Sequence, residues 1–181
     1  MQLCGLRLQS EGISIIEKYT KMKKIKVDEN HLGKAVFSVE PIKEGEHILD
    51  FKGKKYTKSN VPKNMIGDGD RFMQIGVYRY LGPSGKEDDL LNHSCDPNSG
   101  VYFVKGKVIL KAIRDIKPGE EITWDYSTTM YKDDWSMLCR CGTKKCRKII
   151  KGFDSLSKKN KIKYINLNIV PQYIRNAFGN I

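Results

Sequence analysis

Asn92, His93 and Cys95 stand together in NHSCDPN, residues 92–98, and Tyr126 lies near the end of GEEITWDYS, residues 119–127. Both segments set polar, chemically able groups between apolar runs, which packing alone does not require. A carboxamide, an imidazole, a thiol and a phenol can bind, orient or hold a proton. With an ordinary pKa of about 10, the phenol is a protonated hydrogen-bonding group near neutrality rather than a base. Taken by residue type alone, Tyr126 also suits a core position with a satisfied hydroxyl, and His93 a packing role. Three further thiols crowd CRCGTKKC, where Cys139, Cys141 and Cys146 fall within eight residues. With Cys4 and Cys95 the chain has five cysteines. An odd, clustered set of this kind argues for metal ligation rather than disulfides in a reducing compartment. A closed structural zinc site takes four ligands, at about 2.3 Å for sulfur. The short loop supplies three, and Cys4 or Cys95 must supply the fourth.

The rest of the chain has to position these groups. At 181 residues it is long enough for one domain with a small appendage and a proper core. Hydrophobic residues at 39% and charged residues at 30% are ordinary for a globular protein and exclude a disordered class. No run approaches 18 apolar residues, and residues 1–27 lack a long apolar stretch with a small-residue cleavage site. The expectation is therefore an intracellular protein, cytoplasmic or, in a eukaryote, nuclear, with no membrane partner. The net charge of +12 is uneven: residues 130–181 carry twelve Lys and Arg against three Asp, while residues 1–129 carry twenty-one basic against eighteen acidic residues. A basic C-terminal third is either a solvated face or a surface for nucleic acid or a nucleic-acid-bound substrate.

In chain order, EGISIIEKYTK reads as a short helix with Ile13, Ile16 and Tyr19 on one face. Residues 25–51 read as strand, turn and strand, with the turn at Glu44 and Gly45. Residues 52–70 form a polar loop without period. RFMQIGVYRYLG reads as one strand, with Phe72, Gln74, Gly76 and Tyr78 on one face. A turn with one helical turn leads to Asn92. Residues 101–103 and 107–112 form a hairpin about Lys105 and Gly106, and Pro118 and Gly119 turn the chain again before EITWDYS. The chain closes in helices over LSKKNKIKYINL and VPQYIRNAF. The fold class is mostly β with short helices.

Five pieces in order, GKAVF, IKEGEHILDFKG, NHSCDPN, AIRDIKPGEEITWDYS and CRCGTKKCRK, resemble the SET-domain protein-lysine methyltransferases, over residues 33–148. The resemblance implies a β-clip fold in which the strand ending at the tyrosine threads through a loop around NHSC, a pseudoknot. It divides the chain into an N-terminal extension (1–24), a SET domain (25–130), and a post-SET zinc loop with a helical tail (131–181). It implies methyl transfer from S-adenosylmethionine to a lysine of a protein substrate, such as a histone or another nucleic-acid-associated protein. A non-catalytic SET-like module, binding nucleic acid or protein through the basic third, is the competing reading.

Carried onto this sequence, the resemblance makes Tyr126 the catalytic residue, holding the amine and the methyl group in line. Gly33, Lys34, Asn92 and His93 are the implied cofactor residues, although Ala35 replaces the second glycine of the usual GxG. Trp124, Tyr78 and Tyr102 are expected along the substrate channel, with core packing as the alternative for Trp124. Cys95 joins Cys139, Cys141 and Cys146 as the zinc set and leaves Cys4 spare. The tetrathiolate carries a net charge of −2, which Arg140, Lys144, Lys145 and Arg147 can offset.

Overall fold

The computed structural model describes residues 24–62, 71–131 and 135–178. The helix expected over EGISIIEKYTK, Cys4 and part of the polar loop before Arg71 lie outside the described residues.

The chain folds as short antiparallel strands followed by two helices. Strands β1 (Ile25–Asn30) and β2 (Gly33–Ser38) form a hairpin. Gly33 leaves its turn at φ 103°, a backbone conformation that favours a residue without Cβ. Strand β3 (His47–Phe51) pairs with the far strand of a second hairpin, made of β8 (Ser99–Val104) and β9 (Lys107–Ala112). Lys105 and Gly106, at φ 48° and 78°, form the two-residue turn that matches strand twist. β9 is apolar on both sides in its middle, and Val108, Ile109 and Leu110 are all buried. This strand runs through the principal core, in which Leu110 clusters with Val36, Ile42, Ile116, Ile122 and Trp124.

RFMQIGVYRYLG is not one strand. It folds back at Val77 and Tyr78 into β5 (Met73–Gly76) and β6 (Arg79–Leu81), and β6 also pairs with β4 (Lys55–Thr57). Gly76 stands just before the reversal, and the Arg79 Nε packs 3.1 Å from where a Cβ would stand. The alternation read as one pleated face thus belongs to two strands, leaving Tyr78 at the tip.

Two segments remote in sequence then meet. Strand β7 (Asn92–His93) runs parallel to β10 (Thr123–Trp124), and Ser94 N–H extends the ladder to Trp124 O at 3.0 Å. Beyond β10, Tyr126–Thr128 makes a single 3-10 turn. Its other side is covered by the hairpin of β11 (Ser136–Leu138) and β12 (Ile149–Lys151), where the Ser127 hydroxyl donates to Lys151 O at 2.6 Å.

The helical tail builds a second core. Helix α1 (Lys158–Asn166) is capped by Ser157, whose hydroxyl accepts from Asn160 N, the expected use of a Ser at that position. Helix α2 (Gln172–Phe178) follows Pro171. Phe153, Leu156, Tyr164, Ile169, Val170 and Ile174 bury themselves with Tyr131. Arg175 ties the helices together by donating to Val170 O, Ile165 O and Asn168 Oδ1. Among the described residues no helix is long and apolar enough to cross a membrane.

Candidate functional site

A cleft of about 1140 Å³ runs between the β-hairpins, and Lys34, Asn92, His93, Trp124 and Tyr126 all border it, together with Cys139 and Cys141. These side chains come from segments far apart in sequence. Parallel pairing of β7 with β10 sets Asn92 opposite Thr123 and His93 opposite Trp124.

Tyr126 sits at the junction. Its ring packs 4.7 Å from Trp124 and 5.3 Å from His93, centroid to centroid, with Trp135 at 6.4 Å. Its hydroxyl donates to Leu91 O at 2.6 Å. The donated proton is therefore engaged by a carbonyl, and the oxygen lone pairs remain available to a group in the cleft. Desolvation pushes the phenol well above its ordinary range, against the opposing charge of Arg71. The group is a permanent neutral donor and acceptor at neutral pH, not a base.

His93 is held in one tautomer. Its Nδ1 accepts the backbone N–H of Tyr126 at 3.2 Å, so the proton belongs on Nε2, which reaches Cys95 Sγ at 3.2 Å. Burial keeps the imidazole neutral and brings its pKa down to about 4, although the Asp125 carboxylate pulls the other way. The 3.6 Å approach of Nδ1 to Asp125 Oδ1 is thus a contact with a neutral ring rather than an ion pair.

The four thiols of Cys95, Cys139, Cys141 and Cys146 converge, with all sulfurs within 4.8 Å of one another. Four sulfurs in a tetrahedron about 2.3 Å from a zinc ion would stand about 3.8 Å apart, and Cys95 and Cys139 are at 3.7 Å. None of the four forms a disulfide. The Arg147 backbone N–H points at Cys95 Sγ at 3.4 Å, as does His93 Nε2, supplying donors of the kind that support bound thiolates. Burial raises the Cys95 and Cys139 thiols. Cys141 is also pushed up by burial, but hydrogen bonds led by that of the Thr143 hydroxyl bring it down to about 6. The donor set fits a structural zinc ion, which supplies no chemistry of its own there but joins the loop of residues 139–146 to the Asn92–Asn98 segment.

Asn92 donates through Nδ2 to Glu121 Oε1 at 2.8 Å, and Asn30 donates to the other oxygen of the same carboxylate at 2.9 Å. Glu121 therefore fixes the Asn92 amide in orientation. A smaller recess of about 210 Å³ opens beside it, bordered by His31, Asn92, Asp96, Glu121 and Thr143.

Two residues expected along the channel lie elsewhere. Tyr78 stands at the β5–β6 tip, 68% exposed. Tyr102 lies on β8 and donates its hydroxyl to Leu167 O at 3.2 Å, under the helical tail. Trp124 borders the cleft and is also packed in the principal core, so its two readings are compatible. Sequence reasoning missed Leu91, Glu121, Asp125 and Trp135. The acidic residues of GEEITWD could have been flagged as buried partners, whereas the carbonyl of Leu91 carried no signal.

A family profile described as SET domain matches residues 33–127. The chain is 30% identical over 169 residues to the histone-lysine N-methyltransferase TRX1 of Oryza sativa subsp. japonica, covering 83% of this chain and 16% of that protein. It is 28% identical over 146 residues to the probable histone-lysine N-methyltransferase set-23 of Caenorhabditis briggsae, covering 71% of this chain and 61% of that one. Among solved structures, its fold is similar to that of the methyltransferase domain of human histone-lysine N-methyltransferase SETMAR, with a TM-score of 0.61 at 23% identity over 71% of this chain and 58% of that one. KRYPTONITE in complex with mCHH DNA, H3(1-15) peptide and SAH gives a TM-score of 0.57 at 24% identity, covering 69% of this chain and 29% of that one.

Proposed function

The chain belongs to the SET-domain family, and from that membership we propose that it is a protein-lysine N-methyltransferase acting on a histone or another nucleic-acid-associated protein. The observation that carries the reading is the Tyr126 hydroxyl, fixed by Leu91 O at 2.6 Å in a cleft bordered by Asn92 and His93. The relatives named histone-lysine N-methyltransferases support the substrate class, although the chain spans only 16% of the rice protein.

In this reading Gly33, Lys34, Asn92 and His93 hold S-adenosylmethionine, which supplies an already activated methyl group. The protein's task is to present a neutral amine. A free lysine has a pKa of about 10.4, and a desolvating cleft lowers it by disfavouring the ammonium form. The positive charge of Arg71, which borders the cleft, acts in the same direction. Tyr126, its proton committed to Leu91, offers oxygen lone pairs that orient the amine. Trp124 and Trp135 supply apolar walls. The four cysteines hold one structural zinc ion. Cations of the C-terminal third favour a substrate that is acidic around its lysine or bound to nucleic acid, which points to action on chromatin.

A non-catalytic module needs no Tyr126 hydroxyl aligned beside Asn92 and His93, so it is the weaker reading. The test is incubation of the purified protein with labelled S-adenosylmethionine and free histones, nucleosomes or a cell lysate, followed by mass spectrometry. The expected result is label on lysine that disappears in Tyr126→Phe while zinc content and melting temperature persist. Absence of transfer to any of these substrates, or undiminished transfer by Tyr126→Phe, overturns the assignment.

A further inference from the structure

We infer that Arg147 and Tyr164 are positioning residues for Tyr126, acting together through the carboxylate of Asp125. Asp125 immediately precedes the tyrosine and is 1% exposed. Arg147 grips it with both ends of the guanidinium, Nη1 to Oδ2 and Nη2 to Oδ1, each at 2.7 Å. The Tyr164 hydroxyl donates to Oδ2 at 2.8 Å, and Ser127 N–H to Oδ1 at 3.1 Å. Arg147 Nη2 also reaches the Ser127 hydroxyl at 3.1 Å.

These donors come from three places: the turn that carries Tyr126, the cysteine-rich loop, and helix α1. A planar guanidinium fork fixes both the distance and the orientation of a carboxylate. The Tyr164 hydroxyl occupies a lone pair that the fork leaves open. His93 Nδ1, itself 3.6 Å from Asp125 Oδ1, accepts the Tyr126 amide, and Leu91 O accepts its hydroxyl. The Asp125–Tyr126 segment is thus held at three points, the carboxylate, the Tyr126 amide and the phenol hydroxyl, and releasing the first lets the ring rotate away from Leu91. Tyr164 is 2% exposed and does not border the cleft, so it acts only through Asp125. Helix α1 thus serves the site through this one hydroxyl.

The inference rests on Tyr126 being the catalytic group, and the experiment separates the two claims. Zinc-loaded full-length protein carrying 3-fluorotyrosine at position 126 is compared as wild type, Tyr164→Phe and Ser157→Ala. The Ser157 change weakens the same helix by removing its cap but touches no donor to Asp125. Tyr164→Phe is expected to shift and broaden the fluorine resonance. It is also expected to lower kcat about tenfold, short of the roughly hundredfold that an ångström of misplacement can cost, with KM for the methyl donor unchanged. Ser157→Ala is expected to do neither. Arg147→Lys, which keeps the charge but loses the fork, should move the same resonance, and combining it with Tyr164→Phe should lower kcat by less than the product of the two. An unmoved resonance in Tyr164→Phe, or equal changes in Ser157→Ala, overturns the inference. If the wild type transfers no methyl group, the activity assignment fails while the fluorine comparison still decides the positioning.

Discussion

Gly100→Ala probes the docking of the helical tail onto the sheet. A Cβ at residue 100 would stand 2.4 Å from Ile169 Cγ2, 3.0 Å from Ile169 Cβ and 3.2 Å from Ile113 Cγ2. Carbon atoms in ordinary contact are about 3.5–4.0 Å apart, so Ile169 has to retreat by more than an ångström. It has nowhere to go: it is 1% exposed, β-branched, and lies between Asn168 at φ 58° and Val170, which is itself buried. Gly100 has an ordinary backbone conformation, so the whole cost is the clash. Overpacking of this kind costs about 1–3 kcal/mol, and at about 2–4 °C per kcal/mol for a chain of this size the melting point should fall by about 2–12 °C. The assay is thermal and urea unfolding of zinc-loaded protein, with Ile169→Ala and the double variant completing a cycle. Ile169→Ala alone should cost about 2–5 kcal/mol, and the double variant should cost less than the sum by at least about 0.5 kcal/mol, since the two groups touch. A Gly100→Ala protein within about 0.5 kcal/mol of wild type, or strict additivity, would refute the contact.

Three further outcomes follow from the site. Asp125→Asn leaves the Arg147 guanidinium without its charge partner, and breaking a buried pair in this way should cost about 3–5 kcal/mol, read by urea unfolding with zinc held constant; a loss below 1 kcal/mol would mean that the pair is solvated. Cys95→Ser should lower zinc content by metal analysis and free the remaining thiols to titration, whereas retention of a full zinc equivalent would assign the fourth ligand elsewhere. Burial raises the Glu120 carboxyl, but bonds from Arg114, Lys117 N–H and Asn98 outweigh it and leave the pKa below its ordinary value. A depressed carboxylate contributes stability that is present above its unfolded pKa, about 4.3, and lost as pH falls through the folded value. Glu120→Gln should therefore flatten the stability loss below about pH 5, and an unchanged acid limb would count against the bonds.

Local signals were legible where one residue type dictates one conformation. The Lys105–Gly106 turn needs two left-handed residues, and the chain supplies a glycine for one of them. The two helices follow from Ser157 and Pro171 at their starts. The crowded cysteines declared themselves by spacing, and Cys95 stands beside them as the resemblance required. What the sequence withheld is which cavity a strand face looks toward. Tyr102 alternates correctly for a lining position, yet β8 is covered by the tail, so its hydroxyl meets Leu167 O. Arg147 does balance thiolate charge, its cation and its amide both favouring the Cys95 thiolate, but nothing in the spacing shows that its guanidinium also forks onto Asp125. Pairings across 22 to 39 residues depend on topology, which alternation does not encode.

The burial of Asp125 carries a consequence for assembly. An isolated ionised carboxylate is costly to bury by several kcal/mol, and the cost is offset only when geometry and hydrogen bonds are both good. Its backbone partner Ser127 N–H is local, but the fork of Arg147 arrives only when the cysteine-rich loop is docked, and the Tyr164 hydroxyl only when α1 is. With either missing, the carboxylate favours solvent, and solvent access pulls the Asp125–Tyr126 peptide away from His93. The segment holding the tyrosine is therefore most stable in one arrangement, in which metal loop and tail are both seated. Metal removal should consequently loosen not the thiols alone but the amide hydrogens of residues 125–128, which exchange measurements on apo and zinc-loaded protein would detect; protection that is identical in the two forms would show that Arg147 holds Asp125 without help from the ion.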